Sequence, residues 1–196
     1  MRARPVGPTA VLVEVGGPAE ALALAAWVRE QGVPVTDVVP AAETVLLDGT
    51  DPAAAVRVLA GWSPEAPPPA GALVEVPVVY DGEDLSFVAE HWGTSVEDAV
   101  ERHGATTFVS AFCGFAPGFA YLAGLPDELA VPRLDSPRAR VPAGSVALAG
   151  TWCGVYPTAS PGGWRILGRT QVRLWDADRD PPALLAPGTR VRFVRA

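Results

Sequence analysis

The sequence lacks lysine and is poor in the side chains that usually carry catalytic or redox chemistry. Its 196 residues include two cysteines and two histidines, and all 15 basic side chains are arginine. The absence of lysine excludes a Schiff-base lysine and the lysine of a Walker-type phosphate loop. Two thiols that do not form a Cys-x-x-Cys pair, Cys113 and Cys153, exclude a disulfide framework. The net charge of −7 argues against a nucleic-acid partner.

Long hydrophobic runs are also absent. No apolar stretch approaches the roughly 18 residues that a membrane-spanning helix needs. The first residues, MRARPVGPTAVLVEV, lack the apolar core of a signal peptide. We therefore expect a soluble, cytoplasmic protein with no membrane partner.

Glycine and proline, in contrast, are abundant. The 20 glycines and 21 prolines are spread along the chain, and 49% of the residues are hydrophobic. Dispersed turn residues in an apolar chain indicate many short strands with a packed core. The length suits one large domain or two small ones.

The first part of the chain, residues 1–76, alternates strand and helix patterns. A β-branched run, TAVLVEV, is followed by a helix-forming segment that stops at Gly32. Two short apolar runs around residues 41–43 predict a hairpin, and Asp51 followed by Pro52 predicts the start of a second helix. GALVEVPVVY then resumes the strand pattern after a stiff connection, SPEAPPPAG. The order β-α-β-β-α-β predicts a small ferredoxin-like domain.

Residues 77–196 follow a different pattern. EDLSFVAEHWG and TSVEDAVERHG predict two short helices, the second capped by Thr94 or Ser95. Short apolar segments separated by glycine and proline follow as far as GTRVRFVRA. Many short strands with turn residues predict a barrel or sandwich. The predicted fold class is therefore α+β with two domains.

Three blocks in the second part resemble the allophanate hydrolase subunit 1 family, which is also known as the B component of 5-oxoprolinase. They are GFAPGFAYLAGLP, PRLDSPRARVPAGSVALAG and GVYPTASPGGWRILGRT. The resemblance implies a small N-terminal α/β domain and a cyclophilin-like β-barrel. It also implies a subunit of an ATP-dependent amide hydrolase that acts on a small anionic amide, 5-oxoproline or allophanate. The chain would then need a second, larger subunit, and ATP with Mg²⁺ would bind in the assembled complex. The family also includes an inhibitor of a sporulation histidine kinase, so a regulatory binding protein is the alternative.

The first block has two interpretations. Its glycines, Gly114 and Gly118, allow close approach to the backbone, and Pro117 makes the turn rigid. Phe115 and Tyr121 present flat apolar surface. The block forms either a tight crossover that packs into the core or one wall of a small-molecule cleft. The blocks that follow favour the cleft wall.

The arginines of the second block are candidate anion ligands. Arg133 and Arg138 are interleaved with prolines that fix the path of the loop. A guanidinium group suits a carboxylate or phosphate, which it binds through two hydrogen bonds. Asp135 is the alternative partner for one of these arginines.

The third block repeats this arrangement. Gly163 frees the backbone, Trp164 supplies a flat surface and Arg169 supplies positive charge. The glycine spacing does not match a phosphate-binding loop, so no phosphate cradle is predicted. Trp164 acts either as a buried anchor or as a stacking surface for a ligand.

The two histidines, His91 and His103, each end a predicted helix. His91 stands at the Glu-His position of the family and is the candidate for proton transfer, with helix capping as the alternative. Two histidines without a third ligand do not predict a metal site. Trp152 and Cys153 stand where relatives carry a polar pair, a departure that would change the shape or polarity of the cleft.

Overall fold

The structure is a computed structural model that describes residues 1–64 and 71–196. Contacts between Cα atoms divide the chain into two compact units, Met1–Ala70 and Gly71–Ala196. The proline-rich connection predicted at SPEAPPPAG falls mostly on residues 65–70, outside the described residues. The elements, in chain order, are β1 (Arg2–Pro5), β2 (Ala10–Glu14), α1 (Pro18–Glu30), β3 (Asp37–Pro40), β4 (Thr44–Asp48), α2 (Pro52–Leu59), β5 (Leu73–Val78), α3 (Leu85–His91), α4 (Val96–Ala105), β6 (Phe108–Cys113), β7 (Ala120–Ala123), a 3₁₀ turn (Asp127–Leu129), β8 (Arg138–Val141), β9 (Ser145–Ala149), β10 (Trp152–Val155), β11 (Ser160–Gly162), β12 (Arg165–Arg169) and β13 (Arg190–Arg195).

The helices begin where the local sequence predicts. Asp51 caps α2 by accepting a hydrogen bond from the backbone N–H of Ala54 at 2.7 Å. Ser95 caps α4 in the same way, with the N–H of Asp98 at 3.1 Å. Side chains that accept these otherwise unpaired N–H groups stabilise a helix start. No helix in residues 1–64 or 71–196 is long and apolar enough to cross a membrane, and α1 has 13 residues.

The first unit is a four-stranded antiparallel sheet with the strand order β1-β2-β4-β3. The predicted hairpin is confirmed, since β3 and β4 pair from Asp37 opposite Asp48 to Pro40 opposite Val45. Strand β4 lies between β2 and β3, so the unit β2-α1-β3 is a split βαβ arrangement. Buried side chains of the sheet and both helices form its core, including Val11, Leu24, Leu47 and Leu59.

The complete ferredoxin-like order is not found. The strand expected to close the first domain, β5, instead pairs in parallel with β13, from Leu73 opposite Arg190 to Val78 opposite Arg195. Strand β1, which the sequence analysis did not predict, occupies the sheet edge beside β2. The prediction was wrong because β5 finds its partner more than 100 residues later, and local patterning carries no information on that pairing.

The second unit is built on a seven-stranded sheet with the order β12-β9-β10-β7-β6-β13-β5. Its two edge strands approach each other, because Val79, just after β5, bridges Arg169 at the end of β12. Two backbone hydrogen bonds of 2.9 Å join these residues. The sheet is therefore a nearly closed barrel, consistent with the cyclophilin-like fold that the resemblance implies.

Two glycines make this closure possible. A Cβ atom on Gly168 would lie 2.2 Å from the Val79 carbonyl oxygen. On the facing segment, a Cβ on Gly82 would lie 2.3 Å from the Ile166 carbonyl oxygen. Backbone meets backbone on both sides of the junction, so neither position has room for a side chain.

Alternation along the strands separates two apolar layers in the second unit. Val146 and Leu148 of β9 pack into the main core with Leu122 and Phe193. Ala147 and Ala149 point to the opposite face of the sheet, where a second cluster forms. This second face carries the candidate site.

Candidate functional site

A cleft of about 360 Å³ lies on the second face of the sheet. It is formed mainly by residues from β7, β9 and β10, together with the segments that precede β8 and β12. The lining contains six aromatic side chains, one arginine and four small or cyclic residues: Phe115, Phe119, Tyr121, Arg133, Ala149, Gly150, Trp152, Tyr156, Pro161, Gly162 and Trp164. The three predicted blocks therefore meet in one place.

The aromatic walls form a single network centred on Phe119, which is 2% exposed. Its ring makes edge-to-face contacts with Tyr121, Tyr156 and Trp164 at centroid distances of 5.1 to 5.4 Å. Trp152 approaches Tyr121 edge-on at 6.0 Å. Such pairs prefer these edge-to-face geometries and hold one another in position. The cleft is therefore lined by rings fixed through mutual packing.

Glycines allow two of these rings to lie against backbone. A Cβ atom on Gly154 would lie 3.0 Å from both Phe119 and Trp164 ring atoms. A Cβ on Gly162 would lie 2.3 Å from the Tyr156 hydroxyl oxygen. The close approach that the glycine-rich blocks predicted is therefore made to the protein's own aromatic side chains.

Arg133 is the only cationic side chain among the described residues that line the cleft. The backbone on either side of it is fixed. The Pro132 carbonyl accepts a hydrogen bond from Arg165 Nε at 3.1 Å, and the Leu134 N–H donates to the Gly163 carbonyl at 2.8 Å. In the part of the chain that the structure describes, no carboxylate forms a salt bridge with Arg133. Its guanidinium is thus positioned and available to an anion.

The cleft has a hydroxyl donor but little acid–base chemistry. Burial raises the pKa of Tyr156, although the Trp164 backbone and the Arg133 charge act in the opposite direction. Tyr156 therefore stays protonated at neutral pH. None of the described lining residues is a carboxylate, a histidine or a cysteine. This face can hold a small anion, but it presents no general base or nucleophile of the usual kinds.

Arg138 is engaged elsewhere. Its Nε lies 2.6 Å from Glu83 Oε1, and its Nη2 lies 2.8 Å from Asp84 Oδ2. The carboxylate of Asp84 is buried and also lies 3.4 Å from Arg165 Nη1. The alternative partner proposed from the sequence, Asp135, is not the one that the structure shows. Arg138 is outside the cleft lining, and it would have to break these pairs to bind an anion.

Arg169 and His91 also lie outside the lining of this cleft. Arg169 Nε pairs with Asp81 Oδ2 at 2.8 Å across the barrel closure, and both side chains are largely exposed. His91 Nε2 lies 2.9 Å from the Ala130 carbonyl oxygen, and its ring stacks on Phe87. Both side chains therefore have structural partners, and the proton-transfer role of His91 remains a prediction.

The other predicted residues frame the cleft. Pro117 faces a separate shallow depression beside Trp175. Gly118 has φ of 85°, and a Cβ there would lie 2.9 Å from Trp175 Cβ. Gly114 and Gly163 support the cleft through backbone contacts, the latter through the hydrogen bond described above. Four predicted residues line the cleft directly: Phe115, Tyr121, Arg133 and Trp164.

The sequence analysis did not identify Tyr156 as part of the site. Tyr156 lies within the third block, four residues before Ser160, so the block itself was the available signal. Trp152 does line the cleft, as its unusual position in the sequence suggested. Trp164 is 7% exposed and serves as a buried anchor and a cleft wall together.

Cys153, the neighbour of Trp152, points away from the cleft into the main core. It is fully buried, and its Sγ lies 3.4 Å from His103 Nε2. The other ring nitrogen of His103, Nδ1, lies 2.7 Å from the Tyr80 hydroxyl. Burial raises the pKa of the Cys153 thiol and lowers the pKa of His103 to about 3. This chain of buried groups is therefore neutral at physiological pH, and its thiol is unreactive.

Metal ligands are not grouped in this structure. Within residues 1–64 and 71–196, no three or more His, Cys, Asp or Glu side chains are placed to hold a metal ion.

The split βαβ unit, the nearly closed barrel and the aromatic cleft define a known class of domain. The chain matches the family described as "Carboxyltransferase domain, subdomain C and D" over residues 1–185, and it belongs to that family. Within it, the chain is similar to curated proteins named as the B component among the subunits of 5-oxoprolinase, as the sequence blocks suggested. The protein of Escherichia coli O157:H7 is 48% identical over 145 residues, which are 71% of this chain and 66% of that protein. The protein of Bacillus subtilis is 44% identical over 126 residues, which are 63% of this chain and 52% of that protein.

Solved structures share the fold. TTHA0988 is 39% identical with a TM-score of 0.80, and the match covers 95% of this chain and 39% of that one. PH0987 from Pyrococcus horikoshii is 34% identical with a TM-score of 0.60, and the match covers 100% and 97% of the two chains. The K. lactis urea amidolyase shows the same fold at 19% identity, with a TM-score of 0.74 over 99% of this chain and 15% of the enzyme.

Proposed function

We propose that this chain is the substrate-binding subunit of an ATP-dependent amide hydrolase of the 5-oxoprolinase or allophanate hydrolase type. One observation carries the proposal. The cleft has six aromatic side chains and a positioned arginine, yet its described lining contains no carboxylate, histidine or cysteine. A site with these features can bind and orient a small anion, but a second component must supply the reacting groups. The relatives named as 5-oxoprolinase subunits support this assignment.

The cleft suits a small, flat anionic amide. 5-Oxoproline is a five-membered lactam with one carboxylate, and allophanate is a planar anion that carries amide groups. The carboxylate would bind the Arg133 guanidinium, because paired N–H donors match its two oxygens. The flat part of the molecule would lie against the rings of Trp152 and Trp164. The Tyr156 hydroxyl would remain a hydrogen-bond donor or acceptor for an amide group.

The missing groups would come from a second, larger subunit. The relatives are named as subunits of 5-oxoprolinase, which supports a complex of several chains. Lengths point the same way, since the matched region makes up 39% of TTHA0988 and 15% of the K. lactis urea amidolyase. In those proteins the same fold is one part of a much longer chain. Here the remaining parts would belong to the partner.

The cleft does not fit ATP with Mg²⁺. A triphosphate requires several positive groups or backbone N–H donors, and a bound Mg²⁺ requires carboxylate or phosphate oxygens. The cleft offers one guanidinium, and its described lining holds no carboxylate. We therefore assign ATP binding to the partner subunit.

The test uses the complex of this chain with its partner subunit, assayed for ATP-dependent hydrolysis of 5-oxoproline and of allophanate. Arg133→Ala should lower kcat/KM by about 10- to 100-fold, the loss expected for one charge-assisted hydrogen-bonded contact. Arg140→Ala, which removes another exposed arginine from the same region but outside the cleft lining, is the matched control. It should stay within about twofold of the wild-type value.

Co-purification of both variants with the partner would show that assembly is intact. A complex that hydrolyses neither amide with ATP would contradict the proposed function. Binding of a sensor histidine kinase would then favour the regulatory alternative. Unchanged turnover by Arg133→Ala would instead remove this residue from the substrate site.

A further inference from the structure

Phe115, at the mouth of the cleft, has an unusual backbone conformation. Its φ is 66°, and it is the only non-glycine residue in the described part of the chain with a positive φ. Steric contact between Cβ and the backbone disfavours this region for L-residues, and a bulky aromatic residue there is a strained outlier.

Hydrogen bonds hold this conformation in place. The Ala116 N–H donates to the Gly114 carbonyl at 2.7 Å, so Phe115 is the central residue of a three-residue turn. Turns of this kind with a positive central φ are rare and strained. The Phe119 N–H donates to the Ala116 carbonyl at 2.9 Å, and the Gly114 N–H donates to the Phe119 carbonyl at 3.2 Å. The loop between β6 and β7 is therefore a defined structure whose tip presents Phe115.

Burial of the ring does not compensate for this strain. Phe115 is 61% exposed, whereas Phe119, in the same loop, is 2% exposed. The Phe115 ring touches the cleft wall only through edge-on contacts, with centroids 5.2 Å from Phe119 and 6.2 Å from Tyr156. Folding alone would favour glycine or asparagine at this position, because both tolerate a positive φ. Strained residues held by their surroundings occur where function requires them.

We propose that Phe115 closes the open side of the cleft over the bound molecule. The turn holds the ring above the cleft, where it contacts the flat or apolar part of a ligand whose charge is bound by Arg133. The ring is exposed in the free protein because the surface that it covers belongs to the ligand. The inference rests on the proposed function in one respect, namely that the ligand is a small flat anion. It adds the residue that selects flat molecules.

Two substitutions separate the strain from the ring. Phe115→Ala removes the ring and keeps a Cβ at a positive φ, whereas Phe115→Asn removes the ring and relieves the strain. We expect the Asn variant to unfold about 2 to 4 °C above the Ala variant. Phe115→Trp retains a ring and serves as the matched control for binding.

Binding is measured on the full chain by following the indole N–H signals of Trp152 and Trp164 by NMR. The probes are 5-oxoproline and benzoate, a generic flat carboxylate. Both Phe115→Ala and Phe115→Asn should weaken the binding of a probe by about 3- to 10-fold, the range for one aromatic contact. Phe115→Trp should stay within about twofold of the wild type.

The outcomes distinguish this inference from the proposed function. Binding of benzoate without 5-oxoproline, with the expected effect of the variants, supports the role of Phe115 and contradicts 5-oxoproline as the substrate. Equal affinities of the wild type and both variants would overturn the inference, as would the binding of neither probe. Equal melting temperatures of the Ala and Asn variants would show that the turn stores no strain, and would also overturn it. Unchanged benzoate affinity with lost binding to the partner subunit would assign the ring to subunit docking instead.

Discussion

Mild acid should destabilise the second unit because His103 is buried there as a neutral ring. The side chain is 0% exposed and lies between Phe108 and Phe193, with centroids 5.3 and 4.7 Å away. Its two nitrogens face the Tyr80 hydroxyl and the Cys153 thiol, and neither of these groups carries a charge that would stabilise a protonated ring. Removal from water lowers the pKa of His103 from 6.5 to about 3.

The difference in pKa between the two states sets the sign and size of the effect. Below pH 6.5 the unfolded chain binds a proton at His103, while the folded chain stays neutral until about pH 3. Unfolding is therefore favoured progressively as the pH falls through this window, by about 1.4 kcal/mol per pH unit. Between pH 7.5 and pH 4.5, His103 alone should remove about 2 to 3 kcal/mol from the free energy of unfolding.

Urea denaturation at a series of pH values measures this loss, and His103→Gln isolates it. The Gln variant starts from a lower stability at pH 7.5, because its neighbours lose their hydrogen-bond partner. Its free energy of unfolding should fall by about 2 to 3 kcal/mol less than that of the wild type on going to pH 4.5. His91→Gln, which removes the other, exposed histidine, is the control and should follow the wild-type curve. Parallel curves for wild type and His103→Gln would refute the reasoning.

Two further predictions concern the packing that supports the site. Gly168→Ala should lower the free energy of unfolding by about 2 to 4 kcal/mol, because its Cβ would lie 2.2 Å from the Val79 carbonyl oxygen; Gly61→Ala, with 3.5 Å to its nearest neighbour, is the control in the same thermal assay. Asp84→Ala should cost about 2 to 4 kcal/mol, because it leaves partly buried arginines unpaired. Asp81→Ala, from an exposed pair, should cost under about 1 kcal/mol, and equal losses for the two aspartate variants would contradict this account.

Much of the local structure could be predicted from the sequence. The caps at Asp51 and Ser95 and the hairpin between β3 and β4 all depend on residues within a few positions of one another. The assignment of β5 failed because its partner strand lies at the far end of the chain. The ion pair between Glu75 and Arg192 spans that same distance, with 117 residues between the two positions. Local propensity and hydrophobic alternation contain no record of which strand pairs with which.

The site could be predicted in part. Its blocks were recognisable because glycine, proline and aromatic residues are concentrated in them, and four of the predicted residues line the cleft. The arginines could not be ranked from sequence, since their roles depend on which carboxylates fold beside them. Arg138 meets Asp84, which lies 54 residues earlier, and Arg133 meets no carboxylate in the described part of the chain.

The sequence by itself therefore determined the segments, their turns and caps, the family and the chemical character of the site. These properties follow from backbone preferences and composition, which act over a few residues. The tertiary structure decided which face of each strand is buried in the core and which arginine stays unpaired. In GFAPGFAYLAGLP it placed Leu122 in the core, Phe119 and Tyr121 in the cleft wall, and Phe115 at the open edge. The physical reason is that burial and ion pairing are set by neighbours distant in sequence, whose positions are known only once the sheet has closed.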